Sequence, residues 1–124
     1  MKSLDILLSS ILNGQRRRKL VVHIPYSRTS AEIARILVEE GYLRGVYRDD
    51  TTLKVLLRYH NNSPGICGVR RVSRPGRRVY SPAKKLPKPQ QGLAIAIIST
   101  TSGLLCDREA RQSHVGGEVM CYVW

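Results

Sequence analysis

Apolar residues along this chain recur with two periods, and the switches between them divide it into elements. Leu4, Leu7, Leu8, Ile11 and Leu12 follow the i, i+3, i+4, i+7, i+8 spacing of one helical face. Ser3 is placed to cap that helix, Asp5 suits the positive end of its dipole, and Asn13-Gly14 reads as its stop. Residues 15–19 follow as a polar, basic connection, and residues 20–24 as a β-branched strand closed by Pro25. A second helix is expected over residues 27–40. Ser27 or Thr29 caps it, Ile33, Ala34, Leu37 and Val38 form its buried stripe, and Gly41 ends it. Residues 43–48 and 51–59 read as a hairpin turning at Asp49-Asp50, with Leu53, Val55, Leu57 and Tyr59 alternating along its second arm.

Residues 60–65 are a run of turn formers with little to pack, and the domain boundary is placed there: 1–60 and 61–124. Beyond it residues 93–98 read as a buried strand, 99–103 as a polar turn, 107–114 as a short helix and 118–124 as a closing strand. The pattern predicts an α/β chain of the α+β kind in two small domains. The N-terminal one is helix-strand-helix-hairpin; the C-terminal one is a mostly antiparallel sheet with a short helix. No run approaches the ~20 apolar residues of a membrane span, and the interruptions at Asp5, Ser9 and Ser10 argue against a signal peptide.

Charge changes the picture most. Among 124 residues, 21 Lys and Arg stand against 9 Asp and Glu, a net +12. Small domains stay soluble with a net magnitude of about 2–8, so the excess points to a polyanionic partner. It is clustered: Arg16-Arg17-Arg18-Lys19 is one run, Arg70, Arg71, Arg74, Arg77 and Arg78 a second, Lys84, Lys85 and Lys88 a third. Residues 70–88 carry eight of these cations and no acid. Arginine's planar fork suits phosphate oxygens and stacks on bases.

Catalysis is the sharpest alternative. Cys106, Asp107, His114, Glu118 and Cys121 crowd the C-terminal segment and contain, on paper, a nucleophile, a base and an orienter. No nucleophile elbow, phosphate loop or paired carboxylate accompanies them, and the bland reading is two buried thiols and a histidine at a helix end. Three cysteines at 67, 106 and 121 fit free thiols rather than a disulfide framework. They lack the spacing of a zinc site, so no metal, cofactor or small-molecule substrate is expected.

Phosphate contacts position a protein on RNA without choosing a sequence. For selectivity the candidate is Ser99-Thr100-Thr101-Ser102-Gly103, four hydroxyls able to meet base edges, 2′-hydroxyls and phosphates, or else an ordinary turn. Tyr80 is a base stacker or a half-buried core residue. Gly116-Gly117 marks a tight backbone or a close approach by another molecule, and Glu118 either contacts a base or ties down a turn.

The strings Arg71-Val72-Ser73-Arg74-Pro75-Gly76, Arg78-Val79-Tyr80 and Leu86-Pro87 resemble the middle of bacterial-type small-subunit ribosomal protein eight. Gly92-Leu93, Ser99-Thr100, Asp107-Arg108-Glu109-Ala110-Arg111, Gly116-Gly117-Glu118 and Cys121-Tyr122-Val123-Trp124 continue the likeness, with Pro25, Ser27-Arg28 and Glu39-Glu40-Gly41 in the first half. The resemblance implies a non-enzymatic constituent of the small ribosomal subunit, in a bacterial cytoplasm or an organelle. Such a protein binds a stem of the central domain of small-subunit ribosomal RNA, helps nucleate assembly and neighbours other ribosomal proteins. It places Ser99, Thr100 and Thr101 at the RNA with Tyr80 and Glu118 nearby, and Ser27 and Arg28 at a helix start that favours phosphate. The family commonly reads Ser-Thr-Ser-x-Gly with a basic x, whereas this chain has Thr101 and Ser102 there. Ser10 and Leu12 replace arginines typical of the first helix, with Arg16 to Arg18 supplying charge just beyond. The same surface would serve repression of a messenger RNA.

Overall fold

Gly14 lies inside the first helix rather than at its end. The structure, a computed structural model, describes residues 2–124, the side chain of Lys2 excepted, and helix α1 spans Lys2–Arg16. A Cβ on Gly14 would stand 2.5 Å from Val22 Cγ1 and 3.0 Å from Leu57 Cδ1, so its absence lets the helix settle onto the sheet. Gln15, expected in a polar connection, is 6% exposed. Its side-chain amide donates to the Ile66 carbonyl (2.9 Å) and accepts from the Ile66 N–H (3.0 Å). The helix stops instead at Arg18. Lys19 N–H returns to Gly14 O (2.9 Å) and Arg18 N–H to Gln15 O (3.1 Å), a Schellman pair, with Arg18 at φ 58° where glycine is usual. Helix α2, Arg28–Glu39, ends in the same motif with Gly41 at φ 86°, as its sequence predicts.

Strands β1 (Val21–Pro25), β2 (Leu43–Asp49) and β3 (Thr52–Leu57) form an antiparallel sheet in the order β1-β3-β2. Their alternation buries Val22, Ile24, Leu53, Val55 and Leu57, while α1 packs on β1 and α2 on β2. The expected linker is instead a hairpin over residues 59–64: β4 (Tyr59–His60) pairs with β5 (Ser63–Pro64) through Asn61 and Asn62 at φ 51° and 67°. Asparagine tolerates that left-handed geometry better than most residues. The chain divides into two compact units between Ile66 and Cys67.

The second unit holds β6 (Val69–Arg71), β7 (Tyr80–Ser81), β8 (Ile95–Thr100), β9 (Gly103–Cys106), helix α3 (Asp107–Gln112) and β10 (Gly117–Val123). Its sheet runs β6-β10-β8-β9, and β7 also pairs with β10. Leu86, Ala96, Ile98, Ala110 and Val119 form a core cluster on one face of that sheet. Helices and antiparallel sheets in both units make this an α+β chain. The strand expected over residues 93–98 starts later and runs on through Thr100. Leu93, following three positive-φ residues (Gln90, Gln91 and Gly92), has helical backbone at φ −84° and ψ −11°, which precludes extension there, and it is 82% exposed. Helix α3 closes in a third Schellman pair, Val115 N–H to Ala110 O (3.0 Å) and His114 N–H to Arg111 O (3.2 Å), with His114 at φ 55°.

Candidate nucleic-acid interface

Three residues singled out for separate reasons stand in one line across the second sheet. Glu118 of β10 pairs with Tyr80 of β7 on one side and with Ser99 of β8 on the other. Directly opposed residues of antiparallel strands share a face, so a phenol, a carboxylate and a hydroxyl form a row. Tyr80 is 70% exposed, which excludes its reading as core.

Residues 99–103 are not a single turn. Ser99 and Thr100 belong to β8, Gly103 opens β9, and only Thr101 and Ser102 make the reversal. Thr100 Oγ1 donates to Gly103 O (2.7 Å) and accepts from Ser102 N–H (3.0 Å), so this hydroxyl shapes the turn. Thr101 and Ser102 are left exposed at the tip. Gly116 and Gly117 are needed by the fold itself. A Cβ on Gly116 would lie 2.3 Å from Ser81 O, and one on Gly117 2.1 Å from Ser99 O. Two bare backbones let β10 enter between β7 and β8, and that entry sets Glu118 in the row.

Arginines flank it. Arg78 Nη1 sits 3.3 Å from Glu118 Oε2 and orients that carboxylate. Arg74 and Arg77 oppose each other across Pro75-Gly76, each N–H bonded to the other's carbonyl at 2.9 Å, with Gly76 at φ 83°. Proline followed by a positive-φ glycine is the signature of a type II turn. The base of this loop is Ser73, 1% exposed. Its Oγ accepts from Val79 N–H (2.9 Å) and donates to Val79 O (3.3 Å), while Arg71 Nη2 donates to Ser73 O (2.8 Å). A lone serine among arginines has no periodicity to announce it; only its place in a family string marks it. Lys84 and Lys85 are exposed on a 3-10 turn, Ala83–Lys85, which Ser81 Oγ clasps by donating to Lys85 O (2.9 Å).

In the first unit the four-cation run is split. Arg16 is the last residue of α1, and with Arg17, Lys19, Asn13 and His23 it lines an open polar cleft. Arg18 is engaged within the unit, donating to Asn62 O (2.6 Å) with its guanidinium 5.9 Å from the Tyr59 ring centre. Ser27 caps α2 by accepting the Ser30 N–H (3.1 Å), which satisfies one of the free N–H groups. Arg28 is exposed and lies 3.3 Å from Glu32.

The thiols have another role. Burial pushes the Cys121 thiol from 9.0 up to about 12, against the opposing pull of the Arg71 charge, so it stays protonated at neutral pH. Cys106 is buried with Sγ 3.5 Å from Glu109 Oε1, and His114 closes a helix. A group whose folded pKa is raised gives stability that is full below pH 9 and lost as pH climbs toward 12. In urea titrations the parent therefore loses roughly 1 kcal/mol more than Cys121→Ala between pH 9 and 10. Parallel losses in both proteins would show that the thiol is not held neutral by folding. Among the described residues no three His, Cys, Asp or Glu are grouped to hold a metal ion. Nor is any helix there long and apolar enough to cross a membrane.

A family model described as Ribosomal protein S8 matches residues 3–124. The chain is 47% identical over 122 residues to the small ribosomal subunit protein uS8 of Rhizorhabdus wittichii, covering 95% of this chain and 93% of that protein. The uS8 proteins of Persephonella marina (44% over 128 residues; 95% and 94% covered) and Clostridium beijerinckii (43% over 123; 95% and 93%) are similar to it as well. A match along nearly the whole chain, through both units and every motif just described, means that this protein belongs to the ribosomal protein S8 family.

Proposed function

We propose that this protein is a structural, non-enzymatic constituent of the small ribosomal subunit. It binds a central-domain stem of small-subunit ribosomal RNA directly and helps nucleate assembly beside neighbouring ribosomal proteins. The observation that carries the reading is the Tyr80–Glu118–Ser99 row next to the exposed Thr101–Ser102 tip, flanked by arginines. An aromatic face stacks on a base, and hydroxyls and a carboxylate discriminate edges and 2′-hydroxyls. Cations at 16–19, at 74, 77 and 78, and at 84 and 85 supply salt-sensitive grip on phosphates.

Labour is divided between the two sets. Replacing Arg74 and Arg77 by alanine, with Arg78 left to orient Glu118, weakens every RNA alike and flattens the salt dependence by about one unit of slope per lost phosphate contact. Replacing Thr100 and Thr101 by valine keeps the branched side chains and removes the hydroxyls. That variant is expected to lower the preference for the native stem over a shuffled one about tenfold, with the salt slope unchanged. The measurement is a competition between the two stems at about 0.2 M salt, where unspecific affinity has largely fallen away. Identical behaviour of the two variants in a salt titration would overturn the division. Equal binding of both stems by the parent would overturn the RNA assignment.

A further inference from the structure

Leu20, Arg44, Leu57, Arg58 and Tyr59 line a cleft of about 440 Å³ in the first unit. The sheet builds it across the ends of its three strands. Leu20 lies just before β1, and its carbonyl accepts the Leu57 N–H (2.9 Å). Leu57 closes β3, and Arg58 leads from it into β4. Arg44 belongs to β2, where Leu43 pairs with Leu57 and Gly45 with Leu56, so Arg44 is an extra residue without a partner in the ladder. A bulge of that kind re-aims one side chain, and this one sets Arg44 in the wall of the cleft with Leu57 and Arg58.

An aliphatic surface therefore lies between two cations. Leu20 is 66% exposed beside Leu57. The Tyr59 hydroxyl donates to Lys19 O (2.6 Å), which commits it to the backbone and leaves the ring as a wall. Arg44 and Arg58 are both exposed, and among the described residues neither has a carboxylate at ion-pair distance. An RNA backbone would satisfy the two guanidinium groups and gain nothing from an aliphatic side chain set between them. A second copy of this chain would bring +12 against +12. A protein segment in which carboxylates flank one aliphatic side chain complements every wall of the cleft.

We propose that this cleft docks an acidic segment of a neighbouring small-subunit protein, with one aliphatic side chain seated against Leu20 and Tyr59 and carboxylates on Arg44 and Arg58. The idea rests on the small-subunit reading above and goes beyond it in naming the surface and the chemistry of a protein neighbour. RNA and protein are then met by different cations. Those at 16–19, 74, 77, 78, 84 and 85 serve phosphates; Arg44 and Arg58 serve carboxylates.

The test reconstitutes the small subunit from its ribosomal RNA, the other small-subunit proteins and this full chain with a photoactivatable benzophenone amino acid in place of Leu20. Sedimentation first establishes that the chain is in the particle. Irradiation and mass spectrometry then identify what stands at the cleft. The expected product is a cross-link to another protein, at a site with at least two Asp or Glu within about five residues. In an Arg44→Gln/Arg58→Gln background its yield falls about fivefold. That variant enters the particle as the parent does, binds the stem within about threefold and melts within about 3 °C of it, because both arginines are exposed and lie outside the set that grips phosphate. A cross-link to RNA, to a second copy or to a segment with fewer acids overturns the proposal. So does a yield that the arginine variant leaves unchanged, and so does the absence of any product from particles that contain the chain. Failure of the small-subunit reading is seen earlier, when the chain does not sediment with the particle, and it takes the proposal with it.

Discussion

Gly117→Ala is expected to lower stability by about 3 kcal/mol, near 10 °C in melting temperature, and to abolish the preference for the native stem. The added Cβ would lie 2.1 Å from Ser99 O, 2.9 Å from Ser99 C and 3.2 Å from Thr100 Cα, all backbone atoms of the adjoining strand. Backbone held by ladder bonds on both sides has little room to move, so β10 must part from β8 where Glu118 meets Ser99. The row loses its register and Thr100 its position for shaping the turn. Gly45→Ala is the matched control: its Cβ would meet side chains alone, Leu56 Cδ1 at 3.3 Å and Tyr47 Cε2 at 3.9 Å, and is expected to lose less than about 1 kcal/mol. A Gly117→Ala protein that melts with the parent would refute the close approach. One that melts low and keeps stem preference would refute the link between that approach and recognition.

Gly117 also shows where sequence reasoning works and where it stops. Adjacent glycines announced a tight backbone, yet the partner was invisible, because Ser99 is eighteen positions away and nothing local pairs two strands. Long periodic elements were legible. The apolar stripe of α1 stands where periodicity puts it, and so does that of α2 except that Ile36 is buried and Val38 only half so. The β2–β3 hairpin forms but turns at Asp50-Thr51 with its second arm stopping at Leu57, and the helix expected over 107–114 ends at Gln112. Ends were less so. Asn13-Gly14 has the composition of a stop, but tertiary contact with Val22 and Leu57 takes the glycine for packing, and Arg18 accepts a left-handed conformation in its place. The hydroxyls of 99–103 were found, whereas their split between two strands and a two-residue tip depends on β9, four residues long and too short for alternation to reveal. β6 and β7 are shorter still, and the loop they bracket is organised by one buried serine. What escaped is set by contacts between distant segments; what was read is set by spacing within one segment.

Asp107→Ala is expected to lose about 3–5 kcal/mol, and RNA affinity with it, although no carboxylate chemistry is involved. Asp107, a paper candidate for catalysis, is 3% exposed at the start of α3. Oδ1 accepts the N–H of buried Ala96 (3.1 Å) and Oδ2 accepts from Arg111 Nη2 (2.8 Å), one turn along the helix. Arg111 in turn donates from Nη1 to Pro87 O (3.0 Å), in the segment carrying Lys84, Lys85 and Lys88. One carboxylate thus joins the start of β8, the helix and the basic loop. Alanine leaves a buried N–H without an acceptor, costing about 1–3 kcal/mol, and strands a partly buried guanidinium besides. Asp107→Asn keeps the acceptor for Ala96 and is expected to recover about half of the loss. Arg111→Met alone loosens the loop and weakens stem and shuffled RNA equally. Added to Asp107→Ala, it does less harm than the two losses summed, because no unpaired cation remains to be stranded. Urea titration of the four proteins measures that coupling. Strict additivity would mean that Asp107 and Arg111 act separately and that Asp107 does not tie β8 to the basic loop.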